Sequence, residues 1–251
     1  MFLNLLILTG ILLGKSEGRV IKNNSSSISD EQATKLTRFP RVLTASESGQ
    51  AQWTTVVTTK NGMLRGSVMK SRKNKDYIAF RGVQYAKVNG RFEESTPLTP
   101  WANIKDALEF GFECPQCETC GYTVANTDED CLYLNVYIPD LRPTQNELAV
   151  VMFIPDGYYH GTGSAFGADY FMDEEVILVT INYRLGILGF LNTGDGIIPG
   201  NNGLRDMIMA LKWIDENIRY FSGDPIRITV FGESGSSAHF LMLSPASKGS
   251  L

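Results

Sequence analysis

The chain has 251 residues, 43% of them apolar, and a formal net charge of −4 from 23 Lys plus Arg against 27 Asp plus Glu. That length buries one substantial core. Mild acidity without a dense basic cluster removes the electrostatic footprint of a nucleic-acid binder.

The first eighteen residues, MFLNLLILTGILLGKSEG, carry an apolar run from Phe2 to Leu13 followed by small and polar residues, the pattern of a secretory signal peptide over 1–18. The run is shorter than the ~20 apolar residues that span a bilayer. The expectation is a secreted, extracellular protein with no stable membrane insertion. Asn23-Asn24-Ser25-Ser26 holds two overlapping glycosylation sequons, at Asn23 and Asn24, where sterics favour occupancy of one. Residues 19–50 are rich in Ser, Thr, Lys and Glu without an apolar period and read as a flexible polar leader. One domain is predicted over 51–251, with regular structure starting near Trp53.

From there WTTVVTT, MLRGSV, YIAFRGV, LYLNVYI, AVVMFI and VILVTINY are β-branched and aromatic runs separated by Gly, Asn, Asp or Pro, and read as strands. The last two are almost wholly apolar, as strands covered on both faces are. Between the third and fourth runs, Cys114, Cys117, Cys120 and Cys131 fall within eighteen residues. In an exported chain they pair in any of three ways. Zinc is the rival, since Cys117 and Cys120 have ligand-like spacing, but there is no nearby histidine and a disulfide loop is the better reading.

After IIPGNNG the period changes. Leu204, Met207, Ile208, Leu211, Ile214 and Ile218 recur at three- and four-residue steps, predicting an amphipathic helix capped by Asn201 or Asn202 and stopped by Gly223-Asp224-Pro225 before the strand RITVF. Strand, helix and strand in succession imply a crossover and parallel pairing. Immediately after that strand, VFGESGSSAHF places Ser234 two residues from Gly232 and two from Ser236. A G-x-S-x-G elbow turns sharply from strand to helix and needs small residues at both flanking positions. Ser236 is small but is a departure from glycine.

Several ordered motifs together, EDCLYLNVYIP at 129–139, TINYRLGILGFL at 180–191, GNNGLRDMIMALKWIDENIRYFSGDP at 200–225 and ITVFGES at 228–234, resemble the type-B carboxylesterases, the family of the cholinesterases and many secreted insect esterases. The resemblance covers residues 53–251. It implies an α/β-hydrolase fold, of which this chain would be the N-terminal half, with a mixed sheet parallel at its centre and flanking helices. It also implies a small-molecule ester substrate and no cofactor or metal. By position, Ser234 resembles the nucleophile, on a central strand at 228–232 with a helix starting directly after it. The backbone N–H groups of Gly157, Tyr158 and Gly235 resemble the oxyanion donors. Cys114 and Cys131 resemble the family's first disulfide, and Arg91 with Glu129 and Arg184 with Asp206 its two structural ion pairs.

Two departures bear on chemistry, and a third is one of loop length. The family's H-G-G-G-like turn is replaced by Asp156-Gly157-Tyr158-Tyr159-His160, where side chains restrict φ and ψ at positions usually held by glycine. An alternative register would put His160-Gly161-Thr162-Gly163 on that turn, at the cost of inserted residues and of the Gly163-Ser164 match. The triad of this fold runs Ser, then Asp or Glu, then His, and seventeen residues follow Ser234. His239 lies five residues along the elbow helix and reads as a packing or capping residue; His160 reads as a turn histidine. The segment FRGVQYAKVNGRFEES is shorter than the family's proline-rich loop. Two function classes follow: a secreted serine esterase of which this is the N-terminal part, or a catalytically inactive relative that binds or adheres. For the 251-residue chain itself the expectation is negligible ester hydrolysis.

Overall fold

The structure, a computed structural model, describes residues 41–45, 51–116, 126–139, 147–155 and 159–232. Its frame is a nine-stranded mixed sheet. The strands are β1 (Arg41–Ala45), β2 (Ala51–Thr58), β3 (Met63–Lys70), β4 (Asp76–Gln84), the two-residue pieces β5 (Ala86–Lys87), β6 (Thr96–Pro97) and β7 (Lys105–Asp106), then β8 (Tyr133–Pro139), β9 (Leu148–Ile154), β10 (Val176–Ile181) and β11 (Gly223–Gly232). The order is β1-β2-β3-β4-β8-β10-β9-β11, with β7 beside β3; β5 and β6 pair separately. Antiparallel pairing runs from β1 through β10, and the parallel pairs on that path are β10–β9 and β9–β11.

The six runs read from the sequence coincide with β2, β3, β4, β8, β9 and β10. Arg41–Ala45 lies inside the stretch read as a flexible leader, yet it pairs with β2 from Arg41↔Thr55 to Ala45↔Ala51, because a hairpin partner satisfies backbone groups that composition alone does not reveal. The parallel pairs β10–β9 and β9–β11 sit at one end of the described sheet. Among the described residues β11 is bonded to β9 alone. On β11, Ile226 is 86% and Phe231 52% exposed.

Helix α1 (Gly186–Phe190) follows β10, and α2 (Asn202–Asn217) is the long amphipathic helix that covers one face of the sheet. Met207, Ala210, Leu211, Trp213 and Ile214 are buried, and Leu204 and Ile208 pack half-buried against the same core as Ile78, Phe80, Val136, Met152 and Val179. The opposite face carries a smaller cluster of Tyr77, Tyr137, Phe153, Met172 and Leu178. The expected asparagine cap is a backbone device instead. Asn201 takes a left-handed conformation (φ 58°) and makes no side-chain cap bond, while the Asn202 amide donates to Phe92 O at 2.8 Å. Asparagine tolerates that conformation, so Asn201 contributes its backbone rather than its oxygen. The helix also stops before Gly223-Asp224-Pro225. It tightens into a 3₁₀ turn at Ile218–Phe221, and Ser222, at φ 71°, donates its N–H back to the carbonyls of Ile218 and Arg219.

Candidate active site

In open sheets with parallel strands, ligands meet the loops at the strands' carboxyl ends. Here β9, β10 and β11 end together. Their register places Gly232 opposite Ile154 and Phe231 opposite Phe153, with Thr180 of β10 opposite Phe153 on the other side. Ile154 runs on through Pro155 toward Asp156-Gly157-Tyr158, and Gly232 runs on toward Ser234-Gly235. Asp156–Tyr158 and all residues from 233 onward, including Ser234, Gly235 and His239, lie outside the described residues, as do Asn23, Asn24, Cys117 and Cys120. What the structure fixes is the base from which both segments depart: adjacent, parallel and in register. The buried Tyr183 hydroxyl braces one side of it by donating to Pro155 O at 3.2 Å.

Beyond the turn, His160–Ser164 is fastened to β10. Asn182, next after β10, accepts from the Gly163 N–H at 2.8 Å and from Thr162 Oγ1 at 3.2 Å, and donates to Phe112 O at 3.0 Å. Thr180 Oγ1 donates to Gly163 O at 2.8 Å, and a Cβ on Gly163 would lie 2.9 Å from Ile181 O. From the other side, Glu113 accepts from Ser164 Oγ at 2.6 Å and Gln116 accepts from the Gly161 N–H at 3.0 Å. The Gly161 and Gly163 amides are thus both engaged within the fold. His160 is half-buried and Tyr159 is 67% exposed.

Glu113 and Gln116 flank Cys114, which the structure joins to Cys131 across a Cα–Cα distance of 4.9 Å and a separation of 17 residues. Cys131 precedes β8, so the disulfide ties the support of His160–Ser164 to the central sheet. Among the described residues no group of three His, Cys, Asp or Glu side chains is placed to hold a metal ion.

A model of the carboxylesterase family matches residues 53–251. The chain belongs to the carboxylesterase family. It is 43% identical over 206 residues to juvenile hormone esterase of Tribolium castaneum, covering 77% of this chain and 34% of that protein. It is 37% identical over 218 residues to acetylcholinesterase of Danio rerio, covering 79% and 34%. The juvenile hormone esterase of Manduca sexta, solved with OTFP covalently attached, superposes with a TM-score of 0.73 at 37% identity over 78% of this chain and 39% of that one. The fold is accordingly an α/β-hydrolase fold, and the chain spans about a third of the length of the curated relatives it matches.

Within this carboxylesterase-family chain the two ion pairs differ in setting. Arg184 and Asp206 are buried, with side chains 4% and 0% exposed. Arg184 donates from Nε to Asp206 Oδ2 at 2.7 Å and from Nη2 to Oδ1 at 2.8 Å, while Nη1 donates to Glu93 O at 2.6 Å. Ser95 Oγ and the Arg184 N–H give Asp206 two further donors, at 2.8 and 3.2 Å. Glycines let both helices close on this pair: a Cβ on Gly189 of α1 or Gly203 of α2 would lie 2.2 or 2.6 Å from Arg184 O. Burial first, then the Asp206 charge, pushes the neighbouring Tyr85 hydroxyl well above the ordinary tyrosine range; it donates to Asn182 O at 2.7 Å. Arg91 and Glu129, by contrast, meet on the surface, with Nε bonded to both carboxylate oxygens at 3.0 and 3.1 Å. That hydrogen bond holds the Glu129 carboxyl below its usual range.

The sequence reading missed Asn182, Ser95, Glu113 and Gln116. Only Asn182 left a trace, as a polar residue closing the otherwise apolar VILVTIN run, where a buried amide needs partners.

Proposed function

We infer that this chain is part of a secreted carboxylesterase whose nucleophile is Ser234 and whose oxyanion donors are the backbone N–H groups of Gly157, Tyr158 and Gly235. The observation that supports this reading is the Ile154↔Gly232 register: the strands that precede residues 156–158 and 233–235 are parallel neighbours. The serine oxygen attacks the ester carbonyl, the N–H groups bind the developing oxyanion, the alcohol leaves, and water hydrolyses the acyl-enzyme. Engagement of the Gly161 and Gly163 amides by Gln116 and Asn182 supports Gly157-Tyr158, rather than His160–Gly163, as the donor turn. The acid and histidine that complete a triad in this fold follow the serine in the chain. The Manduca sexta relative carries a covalently attached molecule, in keeping with a covalent step. Export follows from the apolar run and small-residue boundary of residues 1–18, and no described helix is long and apolar enough to cross a membrane.

The test is the polypeptide encoded by the full transcript, secreted from cells and assayed on p-nitrophenyl esters. Ser234→Ala lowers kcat on the order of 10⁶-fold, as loss of the serine does in a protease triad; equal turnover by the variant overturns the assignment. A second reading, an inactive relative that binds, is favoured by one observation: Tyr158-Tyr159 occupies the donor turn, and Tyr159 is 67% exposed. An inert full-length protein that still folds and is secreted would select it.

A further inference from the structure

The chain contains three Asn-Gly pairs, Asn61-Gly62, Asn89-Gly90 and Asn202-Gly203. In such a pair the glycine nitrogen reaches the asparagine side-chain carbonyl carbon with little hindrance, because no Cβ stands in the way. The fold gives the three very different surroundings. Asn202 and Gly203 are buried in the first turn of α2, with the Asn202 amide bonded to Phe92 O and a Gly203 Cβ only 2.6 Å from Arg184 O. Gly62 lies under the Trp101 indole, 2.4 Å from where its Cβ would be, and Asn61 faces Leu98 O and the Asn217 amide, both at 3.5 Å.

Asn89 is exposed, and its amide nitrogen donates to the exposed Thr96 Oγ1 at 2.9 Å. Over Gly90 sits a carboxylate. A Cβ built on Gly90 would lie 2.8, 3.0 and 3.1 Å from Cδ, Oε1 and Oε2 of Glu93, and the turn is closed by the Glu93 N–H donating to Gly90 O at 3.1 Å. A nucleophilic amide, an accessible electrophile and a base are thus collected in five residues.

We propose that Asn89 is a modification site, converting without any enzyme to aspartate and isoaspartate with Glu93 as the base. The Glu93 carboxylate accepts the Gly90 amide proton as that nitrogen attacks Asn89 Cγ. The tetrahedral centre collapses by breaking the bond to the side-chain nitrogen, which takes up the proton from Glu93 and leaves as ammonia. The product is a five-membered succinimide, and Glu93 is regenerated. Water then adds to one of the two ring carbonyls, opening the ring to an ordinary aspartate or to the isoaspartyl linkage; water is the only co-reactant. Each event takes the net charge from −4 to −5 and places a new carboxylate two residues from Arg91. That carboxylate competes with Glu129 for the guanidinium.

The experiment is peptide mapping by mass spectrometry of the native full chain held at neutral pH, with isoelectric focusing alongside. Asn89 converts ahead of Asn61 and Asn202, and a band one charge more acidic grows in step. Glu93→Gln slows conversion at Asn89 by about tenfold, below the 10²–10⁴ of a fully positioned catalytic base, and leaves Asn61 unchanged. Glutamine keeps the Glu93 backbone carbonyl that Arg184 needs, so this variant folds. In concentrated urea the three sites converge, because only the shared Asn-Gly sequence remains. Native Asn61 or Asn202 converting as fast as Asn89, or a Glu93→Gln chain converting Asn89 at the unaltered rate, overturns the proposal.

Discussion

Replacing Arg184 by Met tests how the buried ion pair holds the sheet to α2. The substitution removes the guanidinium donors at 2.7 and 2.8 Å from the two Asp206 oxygens and the donor to Glu93 O. Asp206 keeps Ser95 Oγ and one backbone N–H but stays completely buried with its charge uncompensated. Removing one partner of a buried pair costs about 3–5 kcal/mol, mostly the penalty of the charge left behind. The double replacement Arg184→Met with Asp206→Leu should therefore cost less than the single one, since no buried charge then remains. Urea unfolding of the full chain, followed through the emission of buried Trp213, measures both. A single-variant cost under ~1 kcal/mol, in the range of an exposed pair, refutes the reasoning; so does a double variant no more stable than the single.

Three more outcomes are expected. Cys131→Ser destabilises by about 3 kcal/mol on the loop-entropy model for its 17-residue separation, and unreduced peptide mapping recovers Cys114 linked to Cys131; free thiols at both positions contradict it. Because the folded Glu129 carboxyl is held below its usual range, chiefly by the hydrogen bond from Arg91, that pair stabilises above the unfolded glutamate range and the contribution is lost as pH falls through the folded value. Arg91→Gln therefore shrinks the acid-side fall in thermal midpoint, and high salt does the same to the parent; an unchanged acid limb argues against it. Purified chain 1–251 turns over p-nitrophenyl acetate no faster than its Ser234→Ala variant, since a serine without a base remains a protonated, weak nucleophile; robust turnover lost in Ser234→Ala would point to an unexpected base, with His160 the first to replace.

Local composition determined the elements. The six β-branched runs became strands β2, β3, β4, β8, β9 and β10 at nearly the expected limits, and the three- and four-residue apolar period became α2, because side-chain periodicity acts within a few residues of itself. The motifs of 129–139, 180–191, 200–225 and 228–234 were enough to indicate the family. Tertiary structure decided what depends on partners distant in sequence. No local signal marks Arg41–Ala45 as a strand, because its stabilisation comes from pairing with β2. Asn182 is a polar residue in a strand-like run until the fold brings Gly163, Thr162, Phe112 and Tyr85 around it from as many as 97 residues away. Glu113 and Gln116 acquire their role the same way, since a buried polar group is satisfied by whichever donor or acceptor the packed chain delivers, and that delivery is a property of the whole fold.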